Sequence, residues 1–127
     1  MPTQEEKNLN PTPFELAGEE RDGVLIFIVT GELDLHTTPQ LAEKLEESEG
    51  GGVLIDLSSC EFIDSTGIGL LVRTWQRLDE PDGNGPARFA LCGLSDQVRR
   101  LLEITGLRSS ISTYLSRDEA VAELRRG

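Results

Sequence analysis

Between residues 14 and 124 the apolar positions follow two rhythms. Short and nearly unbroken apolar runs, VLIFIV over 24–29 and VLIDL over 53–57, predict strands covered on both faces. RFALCGL over 88–94 and ISTYL over 111–115 predict two more, the last one short. Elsewhere the spacing widens to three and four. Leu41, Ala42 and Leu45 mark one helical face, with Glu43, Glu46, Glu47 and Glu49 turned to water. Ile68, Leu71, Val72, Trp75 and Leu78 mark a second face, Val98, Leu101 and Leu102 a third, and Ala120, Val121 and Leu124 a fourth.

Punctuation sets the boundaries. FELAGEERDGVLIFIVTG reads as two strands joined at Arg21-Asp22-Gly23, since Asp-Gly between strand-like runs favours a hairpin. Thr37 stands three residues before Gln40, the spacing of a capping box, and Pro39 suits a first helical turn. Gly50-Gly51-Gly52 ends that helix, and EPDGNGP over 80–86 ends the next. Ser95 caps the third helix, and Gly106 with Leu107 fits a Schellman ending in which Leu107 packs on Leu102. Ser116 and Glu119 have the spacing of another capping box. Residues 1–12 carry two prolines and few apolar groups and are expected to form a flexible tail; residues 13–127 form one domain.

Strand-helix alternation after an initial hairpin implies an α/β fold, with a mostly parallel sheet and right-handed crossovers. The segment EFIDSTGIGLLV over 61–72 then follows a buried strand and opens a helix. In open α/β sheets that edge gathers ligands and chemistry.

Composition narrows what could happen there. The net charge is −11, and apart from the pairs Arg99-Arg100 and Arg125-Arg126 the twelve basic residues are scattered, which argues against nucleic acid and anionic membranes as partners. No apolar run approaches the ~20 residues of a membrane span, and no charged-then-apolar leader opens MPTQEEKNLNPTP, so a cytoplasmic location is the default. Cys60 and Cys92 are too few for a disulfide framework or a metal cluster; they read as small buried hydrophobes, and a redox pair requires their strands to be neighbours.

Three chemistries compete for Asp64-Ser65-Thr66-Gly67. A phosphate cradle lacks its lysine after Gly67 or Gly69, the GxGxxG pattern fails at Val72, and Asp64 repels an anion. A nucleophile turn of the G-x-S-x-G kind has Gly67 but Ile63 in place of the first glycine; its base would be His36, the only histidine, on the same predicted edge. The third is a displayed hydroxyl that another protein modifies. Ser, Thr or Asp at a helix start is by itself only a cap. Here Gly67 and Gly69 also flank Ile68 at a cost in helix propensity, which leaves room for a partner's backbone and makes Ile68 half core, half surface.

The motifs GELDLHTTPQL (31–41) and VLIDLSSCEFIDSTGIGLLV (53–72), with a weaker ALCGLSDQVRRLLEITGL (90–107), resemble the STAS family, and within it the stand-alone bacterial anti-sigma factor antagonists. The resemblance spans residues 14–124. It implies a mixed four- to five-stranded sheet with about four helices packed mainly on one side. It also implies that Ser65 is phosphorylated by an anti-sigma factor that is itself a serine kinase. The unmodified antagonist binds that kinase and frees the sigma factor; the phosphorylated form lets go, and a serine phosphatase resets it. Asp34 matches a loop position beside the modified serine, so the partner-binding set is Asp34, Asp64, Ser65, Thr66, Gly67, Ile68 and Gly69. Thr66 stands where many relatives have a second serine, and the resemblance leaves it an inward or supporting role. No catalytic residue, metal or cofactor is implied. Two other classes stay open: a STAS accessory subunit of a transporter or signalling assembly that is never phosphorylated, and a hydrolase using Ser65 and His36.

Overall fold

Asp22 and Gly23 take left-handed backbone angles (φ 53° and 81°) and close a two-residue turn. The turn pairs β1 (Glu15–Arg21) antiparallel to β2 (Val24–Leu33), with Arg21 opposite Val24. The computed structural model describes residues 12–48, 51–79 and 88–125. The proposed tail over 1–12, all but Thr12, lies outside the described residues, as do Gly50 and the breaker over 80–86.

The chain continues through α1 (Thr38–Glu47), β3 (Gly52–Ile63), α2 (Ser65–Leu78), β4 (Phe89–Cys92), α3 (Asp96–Ile104), a 3-10 turn (Leu107–Ser109), β5 (Ser112–Tyr114) and α4 (Arg117–Leu124). The five strands lie in sequence order, and β2 through β5 are parallel. This is the mixed sheet the sequence predicts.

Each face of the sheet has its own core. Phe27, Val29, Leu33, Ile55, Leu57 and Leu91 pack beneath α1, α2 and α3, which contribute Leu41, Leu45, Leu71, Val98 and Leu102. Val24, Ile26, Leu54, Ala90 and Cys92 face the opposite side, where Ala120, Val121 and Leu124 of α4 cover them. Strand β2 therefore buries residues on both faces, as its unbroken apolar run predicts. Cys60 belongs to the first core and Cys92 to the second. Both are free and buried; their strands β3 and β4 are neighbours, but the two thiols lie on opposite faces of the sheet and do not pair. Burial drives the Cys92 thiol up to about 12, with the Asp56 carboxylate adding to the effect.

Strands β4 and β5 are shorter than the runs over 88–94 and 111–115, and two further boundaries differ from the sequence reading. Strand β3 does not end at Leu57 but runs to Ile63. From Asp56 to Ile63 it takes seven steps, while its partner β2 takes five, from Ile28 to Leu33, because the register shifts twice. Such bulges interrupt side-chain alternation and hide a strand from periodicity. Helix α1 ends at Glu47, with Ser48 as C-cap, before the glycines.

At the start of the bulged stretch, Asp56 is buried at 4% exposure. Arg117 of α4 donates to its Oδ2 (2.9 Å), and the Ser58 amide and hydroxyl donate to its Oδ1 (2.9 and 2.7 Å). Arg117 also reaches Glu19 of β1 at 3.0 Å, so one guanidinium ties α4 to two strands.

Candidate functional site

The register places the site. Leu33 pairs with Ile63, so β2 and β3 end side by side and the residues that follow them, Asp34 and Asp64, leave the sheet at one edge. Strand β4 stops at Cys92 and does not reach this edge. The Ile63 backbone groups on that side are satisfied instead by the Gln97 side chain of α3, whose amide accepts from Ile63 N and donates to Ile63 O, both at 3.3 Å. Gln97 thus fixes the strand end from which Asp64 departs. The sequence reading assigned it no role, since nothing in the pattern of α3 marks it.

Asp64 is the N-cap of α2. It has an extended backbone, and its Oδ1 accepts from the amides of Thr66 (2.9 Å) and Gly67 (3.0 Å). Its Oδ2 accepts from the amide of Leu35 at 3.2 Å, across the edge in the loop after β2. Its own amide donates to Leu33 O at 3.2 Å. One half-buried residue therefore binds the helix start, the neighbouring loop and the end of β2.

The loop over 34–37 is built around a second carboxylate. Asp34 Oδ1 accepts from the amides of His36 (2.9 Å) and Thr37 (3.0 Å), and Thr37 Oγ1 accepts from the Asp34 amide at 2.9 Å. The Thr37 N–H, followed by the His36 N–H and the Thr37 hydroxyl, holds the Asp34 carboxyl below the usual carboxylate range, against a smaller desolvation penalty. The expected capping box at Thr37 does not form. Its hydroxyl donates to Glu32 O at 2.7 Å, turning back along the chain, and makes no cap bond to α1. Pro39 does sit in the first turn.

Between these carboxylates Ser65 is exposed at the first position of α2. Among the described residues its hydroxyl has no hydrogen-bond partner. Thr66, next to it, is half-buried. Neither hydroxyl is the cap, because Asp64 fills that position.

Two expectations about the glycines and Ile68 change. Gly67 does not make room for a partner. A Cβ there would lie 2.8 Å from Leu33 O and 3.2 Å from Leu33 Cγ, so its missing side chain serves close packing of α2 on the end of β2. Ile68 is 9% exposed and belongs to the core. At Gly69, among the described residues, a Cβ would meet only the flexible Arg73 guanidinium, at 3.2 Å. Two apolar side chains missing from the expected set flank the edge. Leu35 is 65% exposed in the loop, and Phe62 is 40% exposed at the end of β3. The signal for Leu35 was present as an apolar residue inside a polar loop.

His36 is exposed on the same loop, and among the described residues no hydrogen bond joins it to Ser65. The described residues include no group of three or more His, Cys, Asp or Glu side chains placed to hold a metal ion. No described helix is long and apolar enough to cross a membrane. The edge can therefore present an unencumbered hydroxyl, two preorganised loops and a modest apolar surface.

A family profile described as STAS domain matches residues 15–120. Over 101 residues the chain is 38% identical to an anti-sigma-B factor antagonist of Listeria monocytogenes, covering 77% of this chain and 84% of that protein. An anti-sigma-B factor antagonist of Staphylococcus aureus is 39% identical over 83 residues, 63% of this chain and 73% of the relative. Among solved structures, an anti-sigma factor antagonist from Mycobacterium paratuberculosis superposes with a TM-score of 0.77 at 28% identity, over 89% of this chain and 95% of that one.

Proposed function

The chain belongs to the STAS domain family, and from that premise we propose that it is an anti-sigma factor antagonist whose binding is switched at Ser65. Its partner is an anti-sigma factor that is also a serine kinase. The unmodified antagonist holds that kinase through the loop at Asp34 and the start of α2, and the sigma factor is freed. The kinase ends the interaction by modifying the antagonist. The Ser65 hydroxyl oxygen attacks the γ-phosphorus of ATP, the bond to the β,γ-bridging oxygen breaks, ADP leaves, and the hydroxyl proton passes to a base of the kinase. A serine phosphatase resets the switch: water displaces Ser65 Oγ from phosphorus and inorganic phosphate departs. The antagonist supplies no catalytic group, and the whole cycle takes place in the cytoplasm.

The observation that carries this reading is the freedom of Ser65. Its hydroxyl is exposed and, among the described residues, unpartnered, while the cap itself is Asp64, one residue earlier. Phosphate adds a charge of about −1.5 to −2. The helix dipole offsets that by roughly 0.3–1 kcal/mol, so the fold tolerates it. A close partner face does not, because a thousandfold loss of affinity needs only ~4 kcal/mol.

The test is incubation with the cognate kinase and ATP, followed by intact mass and phosphopeptide mapping. One phosphate on Ser65, absent from Ser65→Ala, is expected. Binding of Ser65→Asp to the kinase should fall strongly, while Ser65→Ala binds constitutively. A chain that binds the kinase but takes up no phosphate would instead be the non-phosphorylated accessory subunit.

A further inference from the structure

Ser65, Gly69 and Arg73 stand four residues apart on α2 and form one row along its surface. Side chains on a helix lean toward its N-terminus, so Arg73 reaches back along this row toward Ser65. The middle position is empty because it is glycine. The Arg73 guanidinium occupies that space, with Nη1 3.2 Å from where a Cβ on Gly69 would be. Side chains one step apart on the row have Cβ atoms separated by about 5–6 Å. The guanidinium therefore lies no more than about 9 Å from the Ser65 Cβ, along the same row. A phosphoryl group extends Ser65 by an O–P and a P–O bond, and rotation about the flexible Arg73 side-chain bonds spans the rest.

Arg73 is also available. It is exposed, and among the described residues it forms no ion pair, although Glu46 lines the same shallow groove between α1 and α2. The carboxylates at this edge, Asp34 and Asp64 with Glu32 and Glu61 at the ends of β2 and β3, repel a phosphate, and His36 is the other titratable group there. In a chain of net charge −11, a cation on the Ser65 row needs an explanation.

We propose that Arg73 is a built-in counter-charge for phosphorylated Ser65, holding the phosphoryl group down along α2 over Gly69. The inference rests on the Ser65 reading above and adds a residue to it. A guanidinium pairs with phosphate through two parallel N–H donors, which fixes the group's orientation as well as its charge. The modified state is thereby stabilised within the antagonist itself, and Arg73 acts as a positioning residue for the phosphate.

The test places phosphoserine at position 65 by synthesis or by genetic incorporation, so it does not depend on any kinase. Phosphorus NMR then follows the second ionisation of the phosphate, ordinarily near pH 6. A guanidinium at contact distance should lower that value in the native chain by about half a unit or more relative to Arg73→Gln. Arg73→Lys should recover part of the shift, and added salt should shrink it. Gly69→Ala, which displaces the guanidinium, should also raise the value. Equal titration of the native and Arg73→Gln phosphoproteins would overturn the proposal. Failure of the Ser65 reading would appear separately, as no phosphate transfer by the cognate kinase to the unmodified chain.

Discussion

Gly67→Ala and Gly69→Ala make the same chemical change two residues apart on one helix, and the geometry gives them opposite signs. At Gly67 the added methyl meets Leu33 O at 2.8 Å, Leu33 Cγ at 3.2 Å and Ile63 Cγ2 at 3.3 Å. The nearest of these is backbone of β2, paired in the sheet, and it cannot turn aside. Overpacking of this kind costs ~1–3 kcal/mol, and alanine's helix propensity returns at most ~1 kcal/mol, so a net loss of about 1–2 kcal/mol is expected. At Gly69 only the flexible end of Arg73 must move. There the propensity gain dominates, and stability should rise by roughly 0.5–1 kcal/mol. Urea unfolding measures the difference directly, and thermal midpoints should separate by several degrees, at about 3–6 °C per kcal/mol for a domain of this size. Binding adds a second axis. Under the proposed function Gly69→Ala weakens kinase binding although the domain is more stable, because the added methyl pushes the Arg73 guanidinium out of the space over Gly69 and into the partner face. If Gly67→Ala is neutral, or Gly69→Ala destabilises equally, the assignment of one glycine to the interior and the other to the surface is wrong.

Asp64→Ala removes the cap and the bridge to Leu35 together and should cost about 2–3 kcal/mol, the sum of a cap and one further hydrogen bond; amide exchange should quicken at Leu35, Thr66 and Gly67, and Asp64→Asn should keep most of the stability. Arg117→Ala leaves Asp56 buried without its cation; the pair is only partly shielded from water on the arginine side, so a loss of about 2–3 kcal/mol in chemical denaturation is expected. Burial alone would raise the Asp56 pKa, but the Ser58 hydroxyl and amide with Arg117 outweigh it and hold it below the ordinary value; the associated stability is present above about pH 4 and is lost as pH falls through the lowered folded-state value, and this acid dependence should diminish in Arg117→Ala. Thr66→Ser should be phosphorylated at nearly the native rate and only on Ser65, and phosphate mapped to residue 66 of the native chain would reverse the assignment.

What the sequence made legible was whatever a single local rule controls. Asp22-Gly23 demanded left-handed angles and gave the hairpin. Ser95 and Ser116 cap α3 and α4 as read, accepting from Val98 N and Glu119 N at 3.2 Å. Residues 64–69 stand out as a candidate site because a polar cluster follows a buried strand. The misreadings came where two segments compete for one group. Thr37 had cap spacing, but the Glu32 carbonyl, brought near by the end of β2, takes its hydroxyl. Residues 58–63 carry two register shifts, so neither alternation nor an apolar run marks them as strand. Gly67 was read as surface because its real neighbour, Leu33, lies 34 positions earlier in the chain and meets it only through the sheet. Gln97 and Arg73 carried no signal, since each acts on a strand end or a helix row that exists only after folding.

Under the proposed function, the same competition explains how a serine at a helix start could serve as a switch. A serine that caps a helix is bound to backbone amides, and modifying it would unseat the helix. Asp64 takes those amides instead and adds a bond to the adjacent loop, so the edge is held together without either hydroxyl. Among the described residues the Ser65 hydroxyl holds nothing in place, so a phosphate there would change the surface while leaving the scaffold intact. On this reasoning Ser65→Ala should shift stability by no more than a few tenths of a kcal/mol, below the ~1 kcal/mol of a lost cap. Restoring a serine cap by the double change Asp64→Ser with Ser65→Ala should keep the helix but remove the switch. The separation of a structural acid from a displayed hydroxyl, in adjacent residues, is the physical condition for modification to be read by a partner and not by the fold.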